Sequence, residues 1–229
     1  MTEIPEAGAS LGADVLAARE RIPLTPDLGV VRTERLVVRP YSPDDAPELF
    51  AISHGDPVTR MGRSVDAYDA ERLVWRFLSD GPFAEPAGLD AQIRLYGDRA
   101  SARAHTVLDA ATGDLVGTVT LLANVPADLR VEIGNVWYTP AVQGLGVNRE
   151  VTLALAEILF ALGYQRVEWK CNARNLRSRR AAEAMGFVYE GTFRAHMVVR
   201  GRRRDTAWFS LLPDDPRPAP GTDPHLLEG

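Results

Sequence analysis

The chain has 229 residues, of which 45% are hydrophobic and 25% are charged, and its formal net charge is −5. These values are typical of a globular protein of one domain or at most two, which can bury a full core without covalent cross-links. The single cysteine, Cys171, excludes an internal disulfide framework, and the net charge argues against a dedicated nucleic-acid binder.

The two ends of the chain differ in composition from its body. Residues 1–27 and 213–229 are rich in Pro, Ala, Gly and charged residues, and we expect both to be extensions of a main domain that covers residues 28–212. The stretch Leu11–Ile22 could form a short helix, either loosely attached or part of the core. Because the start has no charged-then-apolar leader, we expect a cytoplasmic protein.

The body opens with alternating apolar and polar residues over Arg35–Pro40, which predict a strand. Ser42 can cap a following helix and Pro43 can occupy its first turn, so a helix is predicted to run to about Ile52. Apolar residues at helical spacing predict a second helix over Asp66–Leu78, which a Pro- and Gly-rich segment ends.

The second half alternates between strand and helix patterns. Three strands form a predicted antiparallel meander: His105–Asp109, Asp114–Leu122 and Arg130–Tyr138. Further along, the predicted elements are a helix over Val147–Leu162, a strand over Arg166–Cys171, a helix over Leu176–Met185, and strands over Val188–Val199 and Thr206–Leu211. The helix after Tyr138 is interrupted by polar residues and is too short to cross a bilayer, which needs roughly 20 apolar residues.

The order of these elements predicts the fold class. A helix that connects two strands makes a βαβ crossover, so the strands that begin at Arg130 and Arg166 should be parallel. We therefore expect an α/β (α+β) fold with a mixed, mostly antiparallel sheet of about seven strands and flanking helices.

The strand Arg130–Tyr138 changes its side-chain parity. Val131 and Ile133 point to one face, but the next apolar pair, Val136 and Tyr138, has the opposite parity, with Gly134 and Asn135 between them. This pattern predicts a β-bulge, although a frayed strand end or plain twist would also fit. A bulge would splay the parallel pair and free backbone groups that can bind an extended amide chain such as pantetheine.

The turn Gln143–Asn148 follows this strand directly and leads into an amphipathic helix. Its glycines let the backbone approach a ligand, and the first N–H groups of the helix, with its dipole, favour an anion such as a pyrophosphate. The turn matches neither the GxxxxGK[ST] nucleotide motif nor the GxGxxG dinucleotide motif.

The order of motifs resembles the GNAT superfamily of N-acyltransferases. The motifs that carry the resemblance are Gln143-Gly-Leu-Gly146 before a helix, Asn175-x-x-Ser178 before the next helix, and Gly186-Phe187. The opening Thr33-Glu-Arg-Leu-Val-Val-Arg-Pro40 and the closing Glu190-Gly191, Arg194, Arg204-Asp-Thr206 and Phe209-Ser210 resemble the RimJ/RimL-like branch. The resemblance covers about residues 31–212.

The resemblance implies acetyl-CoA as co-substrate, no metal, and a set of cofactor-binding residues. That set consists of Val136, Trp137 and Tyr138 for pantetheine, Gln143, Gly144, Leu145, Gly146, Val147 and Asn148 for the pyrophosphate, and Asn175 near the pantetheine arm. Arg149, with one or two arginines of the segment 174–180, is expected to meet the 3′-phosphate. The chain departs from the family pattern at Asn148, where Gly or Ala is usual, and at Ala182, where many members carry a catalytic Tyr.

The resemblance also implies candidates for the acid and base steps. Glu132 is expected to take the amine proton through water, and Ser178 to hydrogen-bond the leaving sulfur in place of the missing Tyr. The alternatives are a solvated carboxylate for Glu132 and a helix cap for Ser178. His196 and Tyr189 are further candidates, and Cys171 is interpreted as a small core residue.

The predicted function is therefore acetyl transfer from acetyl-CoA to a primary amine by direct attack in a ternary complex. The acceptor is a small-molecule or peptide amine, the segment Gly81–Asp98 could be a lid over it, and acidic loops there would favour a cationic substrate. Two alternatives stay open: a non-catalytic acyl-CoA-binding module, and a partner protein that works through its Pro-rich tail. No nucleic-acid or membrane partner is expected, and a homodimer is left open.

Overall fold

The computed structural model of the protein describes residues 10–218, which form ten strands and five α-helices. The strands are β1 (Val31–Arg32), β2 (Leu36–Pro40), β3 (Val58–Arg60), β4 (Arg63–Val65), β5 (Arg103–Asp109), β6 (Leu115–Val125), β7 (Arg130–Tyr138), β8 (Arg166–Asn172), β9 (Val188–Val199) and β10 (Arg202–Leu211). The helices are α1 (Ala13–Arg21), α2 (Ala46–Ala51), α3 (Pro86–Gly97), α4 (Val147–Ala161) and α5 (Leu176–Ala184).

Eight of the strands form one sheet in the order β1-β2-β5-β6-β7-β8-β10-β9, and β3 and β4 form a separate hairpin. Strands β7 and β8 run parallel, whereas the other neighbours in the described sheet are antiparallel. The predicted fold class is confirmed, with one more strand than expected because the short β1 adds to the edge.

Helices cover both faces of the sheet. Helices α1, α4 and α5 pack on one face, where Ala18, Leu155 and Met185 join the buried side chains of the strands. Helices α2 and α3 pack on the other face, where Leu49 and Leu89 share a second apolar cluster. Because apolar area is buried on both faces, the sheet lies in the middle of the molecule.

The predicted β-bulge lies in β7. Thr118 and Thr120 of β6 pair with Trp137 and Gly134, so that β7 carries one residue more than its partner between these two pairs. Asn135, inside the bulge, has a φ of 48°, in the left-handed region that Asn tolerates better than most residues. The extra residue returns the side chains after the bulge to the face that the earlier apolar residues occupy.

The same strand pairs only briefly with its parallel neighbour. Arg130, Val131 and Glu132 of β7 are in register with the first three residues of β8, and beyond Glu132 the two strands separate. The predicted splayed pair is thus present, and it opens a cleft through the sheet.

The predicted helix Asp66–Leu78 is wrong. The structure places the hairpin β3–β4 just before this segment and forms a single π-helical turn over Glu71–Trp75 within it. The anchor of this turn is Trp75, which is buried and donates its indole N–H to the carbonyl of Ser53 at 2.8 Å. Tertiary packing of one large side chain therefore overrides the helical spacing.

The segment Gly81–Asp98, expected to be a lid, is mostly helix α3. Pro86 occupies the first turn of α3, where a proline needs no N–H partner, so it starts a helix and does not break one. Leu89 and Ile93, four residues apart, are buried against the sheet. The segment is therefore part of the packed structure.

The N-terminal helix α1 is packed against the core. Ala18 is fully buried, and a Cβ added to Gly163 would lie only 2.5 Å from the Cβ of Ala18. The expectations for residues 1–9 and 219–229 lie outside the described residues, and the proposed domain boundaries stay a prediction. None of the helices within residues 10–218 is long and apolar enough to cross a membrane.

A buried histidine predicts how stability depends on pH. His105 of β5 is 1% exposed, and burial lowers its pKa to about 4. Since its folded pKa lies below the unfolded value of about 6.5, its contribution is fully present above pH 6.5 and is lost as the pH falls toward 4. We expect up to about 3 kcal/mol of lost unfolding free energy from this site.

The measurement is denaturant unfolding between pH 7 and pH 4 of the wild type and of His105→Phe, which cannot titrate. The variant should lose less stability over this range than the wild type. An identical pH slope in both proteins would contradict the role of His105.

Candidate active site

A cleft of about 960 Å³ opens where β7 and β8 separate. Its walls are the second half of β7, the turn before α4, the end of β8, the start of α5 and part of β10. The predicted site residues that line it are Glu132, Val136, Trp137, Tyr138, Gln143, Gly144, Gly146, Val147, Asn148, Arg149, Asn175 and Ser178. Leu145 belongs to the same turn, but its side chain packs against the core.

The turn before α4 has the geometry of an anion-binding loop. Gly144 and Gly146 have φ angles of 83° and 77°, which side chains rarely adopt, and a Cβ at Gly144 would meet no atom within 4 Å. The first backbone hydrogen bond of α4 runs from the Glu150 N–H to the Gly146 carbonyl at 3.0 Å. The N–H groups at the start of the helix precede this bond, so they can point to a ligand.

A clamp from the edge of the sheet holds this turn in place. Glu150, in the first turn of α4, accepts hydrogen bonds from the Thr33 hydroxyl at 2.5 Å and from the Arg35 Nε at 2.8 Å. The Arg35 guanidinium also donates to the Leu145 carbonyl at 3.1 Å. Thr33 and Arg35 belong to the opening motif of the family resemblance, so the structure gives that motif a positioning role.

The side chain of Gln143 connects three parts of the cleft. Its Nε2 donates to the carbonyls of Tyr138 at 3.0 Å and Leu73 at 3.2 Å, and its Oε1 accepts from Arg177 at 3.1 Å. Arg177 also donates to the Leu73 carbonyl at 3.3 Å. The polar groups of Gln143 are thus engaged within the protein, which makes it a positioning residue for the turn.

Glu132 lies at the last position of β7 that pairs with β8, and it forms an ion pair inside the cleft. Its Oε2 is 2.9 Å from the Nζ of Lys170, which is also 3.2 Å from Glu168 and lies 3.9 Å from the Trp208 ring centroid. Burial raises the pKa of Glu132, and the ion pair with Lys170 opposes this only in part. A carboxylate with a raised pKa is suited to accept a proton.

Ser178 is held by two neighbours. Its Oγ accepts the indole N–H of Trp169 at 3.0 Å, and its backbone N–H donates to the Asn175 Oδ1 at 3.2 Å. The alternative interpretation of Ser178 as a helix cap is therefore wrong, since Asn175 is the N-cap of α5. Because its oxygen already accepts the Trp169 proton, the hydroxyl can donate its own proton toward the cleft.

The remaining candidates separate into two groups. His196 lines the cleft, with its Nδ1 3.1 Å from the Thr206 hydroxyl. Tyr189 lies outside the cleft, where its hydroxyl contacts Thr192 at 2.8 Å. Cys171 is a buried member of the core cluster that also borders the cleft, and burial raises the pKa of its thiol, whereas a contact with Ser178 lowers it to a smaller extent.

Sequence reasoning missed the partners of the candidate residues. Lys170, which pairs with Glu132, and Trp169, which holds Ser178, both lie on β8. The signal was a lysine among the polar residues that alternate with the apolar residues of this strand, but spacing alone does not show which residue it faces across the sheet.

The fold and the cleft define a transferase of the acetyltransferase class, and the comparison with known families agrees. The family described as acetyltransferase (GNAT) domain matches residues 35–188, about two thirds of the chain. The chain belongs to the GNAT acetyltransferase family and is an N-acetyltransferase.

Individual proteins support this assignment. The chain is 27% identical over 167 residues to the putative ribosomal N-acetyltransferase YdaF of Bacillus subtilis strain 168, covering 66% of this chain and 89% of that protein. A GCN5-related N-acetyltransferase from Brucella melitensis is 33% identical, with a TM-score of 0.71 and coverage of 82% and 80%. A probable GNAT-family acetyltransferase from Chromobacterium violaceum is 28% identical, with a TM-score of 0.75 and coverage of 90% and 94%. The similarity to YdaF, and 25% identity to a putative ribosomal-protein-serine acetyltransferase from Vibrio cholerae with a TM-score of 0.60 and coverage of 82% and 99%, support the RimJ/RimL-like branch.

Proposed function

We propose that this protein transfers an acetyl group from acetyl-CoA to a primary amine by direct attack in a ternary complex, in the cytoplasm. The observation that carries the proposal is the separation of β7 and β8, because one continuous cleft joins the anion-binding turn to the buried Glu132. A phosphate group and an amine can therefore be held in the same cleft.

The residues of the cleft fit acetyl-CoA. The open backbone around Gly144 and Gly146, at the positive end of α4, suits the pyrophosphate. Beyond the bulge, Val136–Tyr138 faces the gap left by β8, so its backbone can pair with the amides of pantetheine. We assign the neighbourhood of Arg149 and Arg177 to the 3′-phosphate.

Glu132 is the proposed general base. An ammonium must lose a proton before its nitrogen can form a bond to the thioester carbonyl carbon, and the raised pKa of Glu132 favours proton uptake. The proton passes to the carboxylate through a water molecule. Lys170 holds the carboxylate in place and keeps its charge partly compensated.

Ser178 is the proposed donor to the leaving sulfur. As the carbon–sulfur bond breaks, the electron pair stays on sulfur, and the hydroxyl proton can stabilise it. Trp169 fixes the direction of this hydroxyl through its indole hydrogen bond. Position 182 carries a fully buried alanine, whose side chain has no proton to donate, so the acid role is proposed for Ser178.

The acceptor is proposed to be a protein N-terminal amine or a small amine. The name of the relative YdaF, a putative ribosomal N-acetyltransferase, supports the protein acceptor. The second candidate function is a non-catalytic acyl-CoA-binding module, which the alanine at position 182 favours. Thioester consumption with a panel of amines separates the two, since a binding module would bind acetyl-CoA without consuming it.

Replacement of Gly146 by Val tests the cofactor site. The substitution places a branched side chain at a φ of 77° in the turn, so the affinity for CoA should fall by about tenfold or more, measured by calorimetry. Gly113→Val is the matched control, because Gly113 has a φ of 80° and open space around it but lies in a turn between β5 and β6. Equal CoA affinity in both folded variants would contradict the assignment.

Replacement of Glu132 by Gln tests the general base. Turnover should fall by about 10²–10⁴-fold while the amine is an ammonium, and the difference from wild type should shrink as the pH approaches the pKa of the amine. Steady-state rates across the pH range measure this. Glu190→Gln, which removes an ion-paired carboxylate outside the cleft, should leave the profile unchanged. A wild-type profile for Glu132→Gln would assign the proton to bulk water.

Replacement of Ser178 by Ala tests the sulfur contact. Turnover should fall by about 10- to 100-fold with little change in CoA affinity, because the contact strengthens only as the thiolate forms. The melting temperature should also fall, since the Trp169 indole loses its acceptor. Ser210→Ala, which removes a buried hydroxyl bonded to Glu190, is the control for stability loss alone. A lower melting temperature with full turnover would make Ser178 purely structural.

A further inference from the structure

Arg204 of β10 is a cation in the cleft that forms no ion pair with a carboxylate of residues 10–218. It is partly buried, and its Nε is shielded from solvent without a hydrogen-bond partner among the described residues. None of the ion pairs formed within residues 10–218 includes Arg204. Burial lowers the pKa of Arg204, which reflects the cost of holding this charge away from water.

The carboxylates near Arg204 are engaged elsewhere. Glu132 pairs with Lys170 at 2.9 Å, and Asp205, the next residue in β10, accepts the backbone N–H of Ala195 at 2.6 Å. Tyr96 also lines the cleft. The guanidinium therefore has room for an anion that the described protein does not supply.

The surroundings extend this positive charge. A second cavity of about 630 Å³ adjoins the cleft and shares Arg204 with it. Its charged lining residues are Arg76, Arg174, Arg200, Arg202, Arg203, Arg204, Glu71 and Asp205. Glu71 is already paired with Arg200 at 2.8 Å, so this side of the cleft is basic although the chain as a whole is acidic.

We propose that Arg204 binds a carboxylate of the acceptor, so that the preferred acceptor is an amine whose own molecule carries an anionic group. This inference rests on the proposed function, because the same cleft must present the amine to Glu132. The planar guanidinium matches a carboxylate with two parallel hydrogen bonds. The carboxylate belongs either to a free amino acid or to an acidic side chain close to the N-terminus of a peptide.

The test compares matched acceptors at saturating acetyl-CoA. One pair is a free α-amino acid and its amide, and the other is a peptide with Glu near its free N-terminus and the same peptide with Gln. The anionic member should have a kcat/KM about tenfold higher or more, and the pair that shows the preference identifies the source of the carboxylate. In Arg204→Gln the preference should disappear through a higher KM for the anionic member, with the neutral member unchanged.

Two controls separate specificity from other effects. Arg194→Gln removes an exposed arginine of the same hairpin that lines neither cavity, and it should keep the preference. Binding of the N-acetyl amino acid and of the acetylated Glu peptide in the presence of CoA, measured by calorimetry, should weaken for at least one of the two in Arg204→Gln and for neither in Arg194→Gln. This readout does not depend on turnover.

Three results would overturn the inference. They are equal use of anionic and neutral acceptors by the wild type, a uniform fall in kcat with a shifted pH profile in Arg204→Gln, and a loss of CoA affinity in that variant. The second result would make Arg204 a residue that acts through Glu132, and the third would place it at the cofactor. Absence of thioester consumption with every amine would instead contradict the proposed function. The calorimetric binding of the acetylated acceptors would still decide the role of Arg204 in that case.

Discussion

The separation of β7 and β8 after Glu132 is the constraint on which the site depends. A parallel pair that continued in register would close the sheet and leave no cleft. The bulge at Asn135 allows the separation without loss of the core, because Tyr138 returns to the apolar cluster that Ile133 occupies. Since the anion-binding turn follows one of these strands and α5 follows the other, the opening brings both helix N-termini to a single cleft.

The opening also decides the electrostatics of the cleft. Glu132 is the last residue of β7 that pairs with β8, directly opposite Glu168, and Lys170 lies between the two carboxylates. Burial is the main reason why the pKa of Glu132 stays raised despite the ion pair, and the charge of Glu168, which also pairs with Arg166 at 2.9 Å, adds a smaller contribution. The positive charge of the partly buried Arg204 lowers the pKa of Glu132 to a smaller extent. The charge proposed to bind an anion therefore also acts on the proposed base.

The sequence predicts what depends on local pattern. The bounds of β7 and β9 agree with the prediction to the residue, and the change of parity in β7 locates the bulge because side chains alternate strictly in a strand. The turn Gln143–Asn148 is likewise local. The segment around Trp75 was mistaken for a helix because its fold depends on the distant carbonyl of Ser53. The positions of Lys170 and Arg204 in the cleft could not be predicted for the same reason, since spacing does not show what a side chain faces across the sheet.

The clamp on the turn resolves a conflict at the start of α4. Glu150 places a negative charge in the first helical turn, where it would repel the phosphate that the helix N-terminus is suited to bind. Burial alone would raise its pKa, but hydrogen bonds from Thr33 and Arg35 lower it, so the carboxylate stays ionised. The Arg35 guanidinium, 2.6 Å from Glu150, neutralises that charge locally and also holds the Leu145 carbonyl. The carboxylate thus serves to fix the turn, while the N–H groups and the dipole of α4 remain available to an anion.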